Sequence, residues 1–247
     1  MFQGINRLFA AAFVRRRKWT SGVAVVCSRV RFRGLSAIVA GLMLVGCGPQ
    51  SSEQPITVKS PVSNLALVIP RGYFLVPPPK DGLLSKATAH AFITDYPNFN
   101  YKSPANLQAF REIGSLNVVQ FVVRFGPSMS IDALFRHKLN WYGKERDRLK
   151  DPTTGLSTFR TRRDATSPFK NNSVFYSETP DKVFIECGPV RPNQHARCEM
   201  SFSWEGLVVT ADFNRNKLGE WRTIKDKINS KLNCWHQRAI KFRETTC

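Results

Sequence analysis

One stretch of this chain has the outline of a nucleophile site, and six cysteines could modify the protein itself. Gly126-Pro127-Ser128-Met129-Ser130 follows an apolar run and precedes a helical pattern, as the nucleophile turn of a hydrolase would. It lacks the second glycine that lets such a strained turn close, and a proline adjoins the serine. A turn followed by a helix cap at Ser130 accounts for it better. His90, His137, His195 and His236 stand singly, without an H-E-x-x-H pair or a carboxylate spaced to orient one as a base. Phosphate loops and dinucleotide fingerprints are absent from the sequence. The expectation is therefore a non-enzyme with no cofactor and no metal; a hydrolase is the rival reading.

Charge directs attention to the N-terminus. The 247 residues carry 37 Lys plus Arg against 18 Asp plus Glu, a formal charge of +19. Eight of the basic residues (Arg7, Arg15, Arg16, Arg17, Lys18, Arg29, Arg31 and Arg33) fall within residues 1–46, which hold no acidic one. After Arg33 the apolar run Leu35 to Val45 is shorter than the roughly 20 residues a spanning helix needs. A basic flank, a short apolar stretch and then small residues form the layout of a secretory signal. A twin-arginine reading of Arg15 to Lys18 has too short an apolar follow-up. The stretch before Arg29 is long for a leader, so initiation at Val30, Val23 or Val25 is an alternative reading of the start.

The run ends Leu44-Val45-Gly46-Cys47, which resembles the lipobox of bacterial lipoproteins at all four positions. The resemblance implies cleavage before Cys47, a diacylglycerol on its thiol, and attachment to a membrane through acyl chains rather than a transmembrane helix. Gly rather than Asp at position 48 resembles lipoproteins sorted to the outer membrane, facing the periplasm. Residues 1–46 are then a signal peptide, 47–55 a lipidated tether and 56–247 a single domain. Taking the eight leader charges from 37 leaves 29 basic against 18 acidic side chains, so the domain stays basic.

In an exported domain the four cysteines remaining besides Cys27 and Cys47 should be oxidised. Cys187 closes one predicted strand and Cys198 opens the next, so a hairpin brings them together; Cys234 and Cys247 remain for each other. Zinc fits poorly, because there is no C-x-x-C and His195 and His236 are isolated.

The elements that must hold these residues are mostly strands. The runs ITVKS, NLALVIP and YFLV precede Pro77-Pro78-Pro79, and Ser103-Pro104 opens a short helix. Leu116 to Phe125 is the strongest buried-strand pattern and is expected at the centre of the sheet. Ile131, Leu134, Phe135, Leu139 and Tyr142 predict a helix capped by Ser130 and running to about Asp147. STFRTR, SVFYSE, DKVFIEC, CEMSFSW and LVVTADF then read as an antiparallel meander with a turn at Glu205-Gly206. Leu218, Trp221, Ile224, Ile228 and Leu232 give a final amphipathic helix one apolar face to lay on the sheet. The fold class is α+β.

The C-terminal part, FIEC to CEMSFSW to the helix, resembles small proteobacterial envelope lipoproteins, some encoded beside type VI secretion toxins as immunity proteins. That resemblance implies non-catalytic protein binding and carries over no residue. The rival to binding is a lipid-anchored hydrolase acting on envelope polymers or lipids. Basic residues cluster at Arg160, Arg162 and Arg163, in the helix Arg136 to Lys150, and in the C-terminal segment Arg215 to Arg243, and the loop Gly188 to Arg197, with Arg191, His195 and Arg197, is the expected contact loop. Export argues against nucleic acid. The expected partner is an acidic protein or an anionic envelope component, met through that disulfide-closed loop and the nearby arginines.

Overall fold

The computed structural model describes residues 53–61, 64–76, 88–111, 116–125, 130–142, 148–159, 171–191 and 195–241. Cys47, Ser128, Arg160, Arg162, Arg163 and Cys247 lie outside them.

Alternating side chains build the main sheet. Strands β3 (Ala89–Asp95), β4 (Val118–Arg124), β5 (Arg148–Lys150), β6 (Ser157–Phe159), β7 (Ser173–Ser177), β8 (Val183–Cys187), β9 (Arg197–Trp204) and β10 (Leu207–Asn214) form one sheet in the order β3-β4-β10-β9-β8-β7-β6-β5. Every pairing is antiparallel, and β5 to β10 make a continuous meander. The β9–β10 hairpin closes through Glu205 and Gly206, both at positive φ (46° and 75°), the pair of left-handed residues that a two-residue turn matching strand twist requires. A separate hairpin joins β1 (Pro55–Lys59) to β2 (Ala66–Pro70).

The register sorts the side chains by face. Phe92, Phe121, Ala211, Met200 and Ile185 lie in line across five adjacent strands, and all are buried. Against them packs helix α3 (Trp221–Lys241), whose Trp221, Ile224, Ile228, Leu232 and Trp235 are buried at helical spacing. Burial of each such side chain contributes roughly 1.5–3 kcal/mol. Trp235 is central: its ring lies 4.9 Å from Tyr73, 5.4 Å from Phe92 and 6.2 Å, stacked, from Phe121. On the opposite face, helix α2 (Ile131–Tyr142) sets Phe135 among Val174, Tyr176 and Phe184. Two covered faces explain why three successive residues of β8, Val183 to Ile185, are all buried. Ser130 caps α2 by accepting from the Ala133 amide at 3.2 Å.

Several details differ from the sequence expectations. YFLV is not a strand: Arg71–Tyr73 is a 3-10 turn that sends Tyr73 under Trp235, leaving one bridge between Phe74 and Phe92. The unforeseen β3 is an edge strand whose small residues and buried His90 weaken its pattern. With β3 outside it, β4 lies next to the edge strand rather than at the centre. Helix α2 ends at Tyr142, and Arg148–Lys150, expected among helical basic residues, pairs with β6 as a strand. A five-residue helix α1 (Leu107–Arg111) follows the turn in which Ser103 donates from its amide and hydroxyl to Asn106 Oδ1. Among the described residues no helix is long and apolar enough to cross a membrane.

Candidate functional site: the disulfide-closed loop

Cys187 and Cys198 are directly opposed in register, with Cα atoms 4.0 Å apart, and form a disulfide with no solvent exposure. It joins the last residue of β8 to the second of β9, so the loop between starts at Gly188 with both stems covalently held. Cys234 is also disulfide-bonded.

A second restraint at the loop base comes from Arg215, just beyond β10. Its amide donates to the Ala196 carbonyl at 2.8 Å, its Nη1 to the Gly188 carbonyl at 2.6 Å and its Nη2 to Ser173 Oγ at 2.9 Å. One side chain therefore ties the loop stems to β7. The Gly188 amide adds a bond to the Arg197 carbonyl at 2.9 Å.

This framework distributes the anticipated contact residues unequally. Arg191 and His195 are exposed. Arg197 is instead the first residue of β9, and its guanidinium grips Asp212, bonding the carboxylate through Nε and the carbonyl through Nη2 at 3.2 Å. Beside Arg191, Val190 is 74% exposed, an apolar side chain in solvent two residues beyond the restrained base. Val190 was not singled out from sequence, and Arg215 entered only as the first residue of a basic C-terminal segment. A valine between Pro189 and Arg191 carries no periodicity, and the reach of Arg215 exists only once β7, β8, β9 and β10 are adjacent.

Below the loop the outer sheet face turns acidic. Glu186, Glu199 and Asp212 are directly opposed on β8, β9 and β10. Helix α2 answers with Lys138, 2.8 Å from Glu186 and 4.0 Å from Glu199, and Asn172 donates to Glu186 at 2.6 Å. Desolvation raises the Glu199 carboxyl above the usual range; Lys138 and Arg124 pull it down, while Glu186 and Asp212 push it up. Asp212 is raised by desolvation and lowered by Arg197. Like charges opposed across strands are destabilising unless countered, which gives Lys138 and Arg197 their structural task.

The histidines do not converge. His90 is buried between the rings of Phe74 and Phe125, His236 Nδ1 lies 2.9 Å from the Ala66 carbonyl, His137 is on α2 and His195 on the loop. Among the described residues, no three His, Cys, Asp or Glu side chains are grouped to hold a metal ion.

No family model matches the sequence, and no curated protein matches it. Two solved structures align with its fold. The iron-regulated outer membrane lipoprotein FrpD of Neisseria meningitidis aligns over 76% of this chain and 98% of its own, at 11% identity and a TM-score of 0.45. Smlt3025, an immunity protein of the Stenotrophomonas maltophilia type IV secretion system, aligns over 74% of this chain and 93% of its own, at 15% identity and a TM-score of 0.54. At that level of similarity, what this chain has in common with Smlt3025 is the fold.

Proposed function

We propose that this protein is a lipid-anchored protein of the cell envelope that acts by binding, and that it neutralises a secreted toxin at the periplasmic face of the outer membrane. The observation that carries this reading is the loop between Cys187 and Cys198. A buried disulfide and Arg215 hold its base, while Val190 and Arg191 project from it. A loop base already held lowers the entropic cost of association, Arg191 favours approach of an acidic surface, and Val190 offers the apolar contact that slows release. The immunity role of the protein sharing this fold supports a toxin as partner. The lipobox Leu44 to Cys47 supports anchoring through Cys47. Arg160, Arg162 and Arg163 are proposed as further contacts with the same acidic partner.

The test is capture of the partner from envelope extract of toxin-secreting cells, identification by mass, and association kinetics at two ionic strengths. Arg191→Glu should slow association and flatten its salt dependence; Val190→Asp should speed dissociation. Identical kinetics for wild type and both variants would reject the loop as the contact. Anchoring is decided separately by intact mass: the mature chain should begin at acylated Cys47. A Cys47→Ala variant cleaved and fractionating as the wild type does would refute it.

A further inference from the structure

The two edges of the main sheet are finished differently. At the β3 edge the chain that follows Arg71–Tyr73 lies alongside the strand: Phe74 bridges to Phe92, and the Leu75 amide donates to the Ala91 carbonyl at 2.9 Å. At the other edge β5 pairs with β6, and among the described residues no strand lies on its outer side. Which backbone groups point outward there follows from the hairpin turn. The Asp151 amide donates to the Leu156 carbonyl at 2.8 Å, so Asp151 and Leu156 are a hydrogen-bonded pair. Antiparallel pairs alternate, so Leu149 turns its amide and carbonyl toward Thr158, while those of Arg148 and Lys150 face away from β6. Side chains alternate too. Leu149, Thr158 and Phe175 fall in line with Ile185 and Met200 on the α3 face. Phe175 is 8% exposed but Leu149 is 45% exposed, so this row ends in solvent. Lys150, on the opposite face, is exposed as well.

We propose that this edge takes an extended acidic segment of the protein partner as an added strand, a reading that rests on the acidic partner proposed above. Arg148 and Lys150 supply the outward amides and carbonyls for main-chain pairing. A residue of the added strand opposite Leu149 prolongs the apolar row, and the residues on either side of it fall opposite Arg148 and Lys150, where carboxylates are favoured. The segment recognised is thus an apolar residue flanked by acidic ones. Charge selects this occupant over a second copy of the chain. Two β5 strands joined antiparallel about Leu149 set Arg148 of each copy opposite Lys150 of the other, and like charges directly opposed destabilise a strand pair. A lysine on a short edge strand is a common guard against such self-pairing. An acidic strand turns the same cation into an attraction. The domain's excess of basic over acidic side chains acts in the same sense by favouring the approach of an acidic chain.

The experiment uses the full chain and a synthetic probe, the end-blocked peptide Thr-Thr-Glu-Val-Glu-Thr-Thr at millimolar concentration. Amide exchange at single-residue resolution should slow at Arg148 and Lys150 in proportion to occupancy, with Val190 and Arg191 unchanged. The same peptide N-methylated at both glutamates, or with lysine in place of glutamate, should not bind. Lys150→Glu, which trades an attraction for a repulsion, should weaken binding about three- to tenfold. Lys150→Pro removes an outward donor and no internal hydrogen bond, so it should abolish protection at Arg148 while the urea midpoint stays at the wild-type value. If that variant melts early, the N-methylated peptide carries the same test without altering the protein. No slowing at Arg148 and Lys150, equal binding of the N-methylated or the lysine peptide, or protection at Arg148 retained in a folded Lys150→Pro would overturn the proposal. A peptide that leaves β5 unprotected, while a captured partner still responds to Arg191→Glu, sinks the edge and leaves the loop. Protection of β5 with no partner captured from envelope extract refutes the toxin reading and keeps the edge as a site for acidic strands.

Discussion

Removing the Cys187–Cys198 bridge tests whether the loop base is held by the covalent link or by its surroundings. The cysteines are 11 positions apart, so the crosslink removes about 9–10 cal/mol/K of entropy from the unfolded chain, or about 3 kcal/mol at 25 °C in the chain-entropy model. Both sulfurs are fully buried, so Cys187→Ala with Cys198→Ala also leaves small voids, and about 3 kcal/mol is the lower figure. For a domain of this size the melting temperature should fall by about 6–12 °C. Urea titration is the sharper assay. The midpoint should drop while the m-value rises, because the uncrosslinked denatured chain exposes more surface. Reducing the wild type is a poorer substitute, since it also opens the bond at Cys234. A loss below about 1 kcal/mol with an unchanged m-value would show that Arg215 and the β8–β9 ladder hold the loop base without the bridge, and the entropic reasoning would be wrong.

Burial lowers the His90 pKa below its ordinary 6.5, so the unfolded chain takes up a proton that the folded one refuses. Stability from this group is full above about pH 6.5 and lost as pH falls through the folded value; His90→Phe should remove that part of the acid slope in urea titrations at pH 5 and 7, and an unaltered slope rejects the assignment. Glu199 has the opposite sign: its carboxyl is raised above the ordinary 4.5, so its contribution is present below that value and lost as pH rises through the folded value. Glu199→Gln should therefore stabilise the protein at neutral pH, by less than about 1 kcal/mol because half its side chain is in solvent, whereas destabilisation there would mean that the Lys138 contact dominates. Trp235→Ala empties the site shared by Tyr73, Phe92 and Phe121 and should cost about 3–5 kcal/mol by denaturant melt, a loss near 1 kcal/mol being incompatible with its central place in the core.

Local patterns made much of this legible in advance. Short strand-forming runs bounded by turn residues marked β7 to β10, the apolar spacing from Trp221 to Leu232 marked α3, and Ser130 announced the start of α2, because each depends on neighbours a few residues away. The Cys187–Cys198 pairing was readable for the same reason: a hairpin fixes which residues of adjoining strands oppose each other. The candidate site was legible only in part, since Arg191 and His195 are outward while Arg197 is spent on Asp212.

What the sequence could not decide depended on which strands become neighbours. Ala89–Asp95 joined the sheet because β4 offered it a free edge, and Arg71–Tyr73 turned away from strand geometry because Tyr73 is better placed beneath Trp235. Arg215 became the strut of the loop, and Glu186, Glu199 and Asp212 became one acidic row, through cross-strand register alone. Composition and local periodicity determine which segments extend, coil or cap, since backbone sterics and side-chain spacing act over a few residues. Register and face are decided by burial across the whole sheet, where a one-residue slip would move every apolar side chain to solvent.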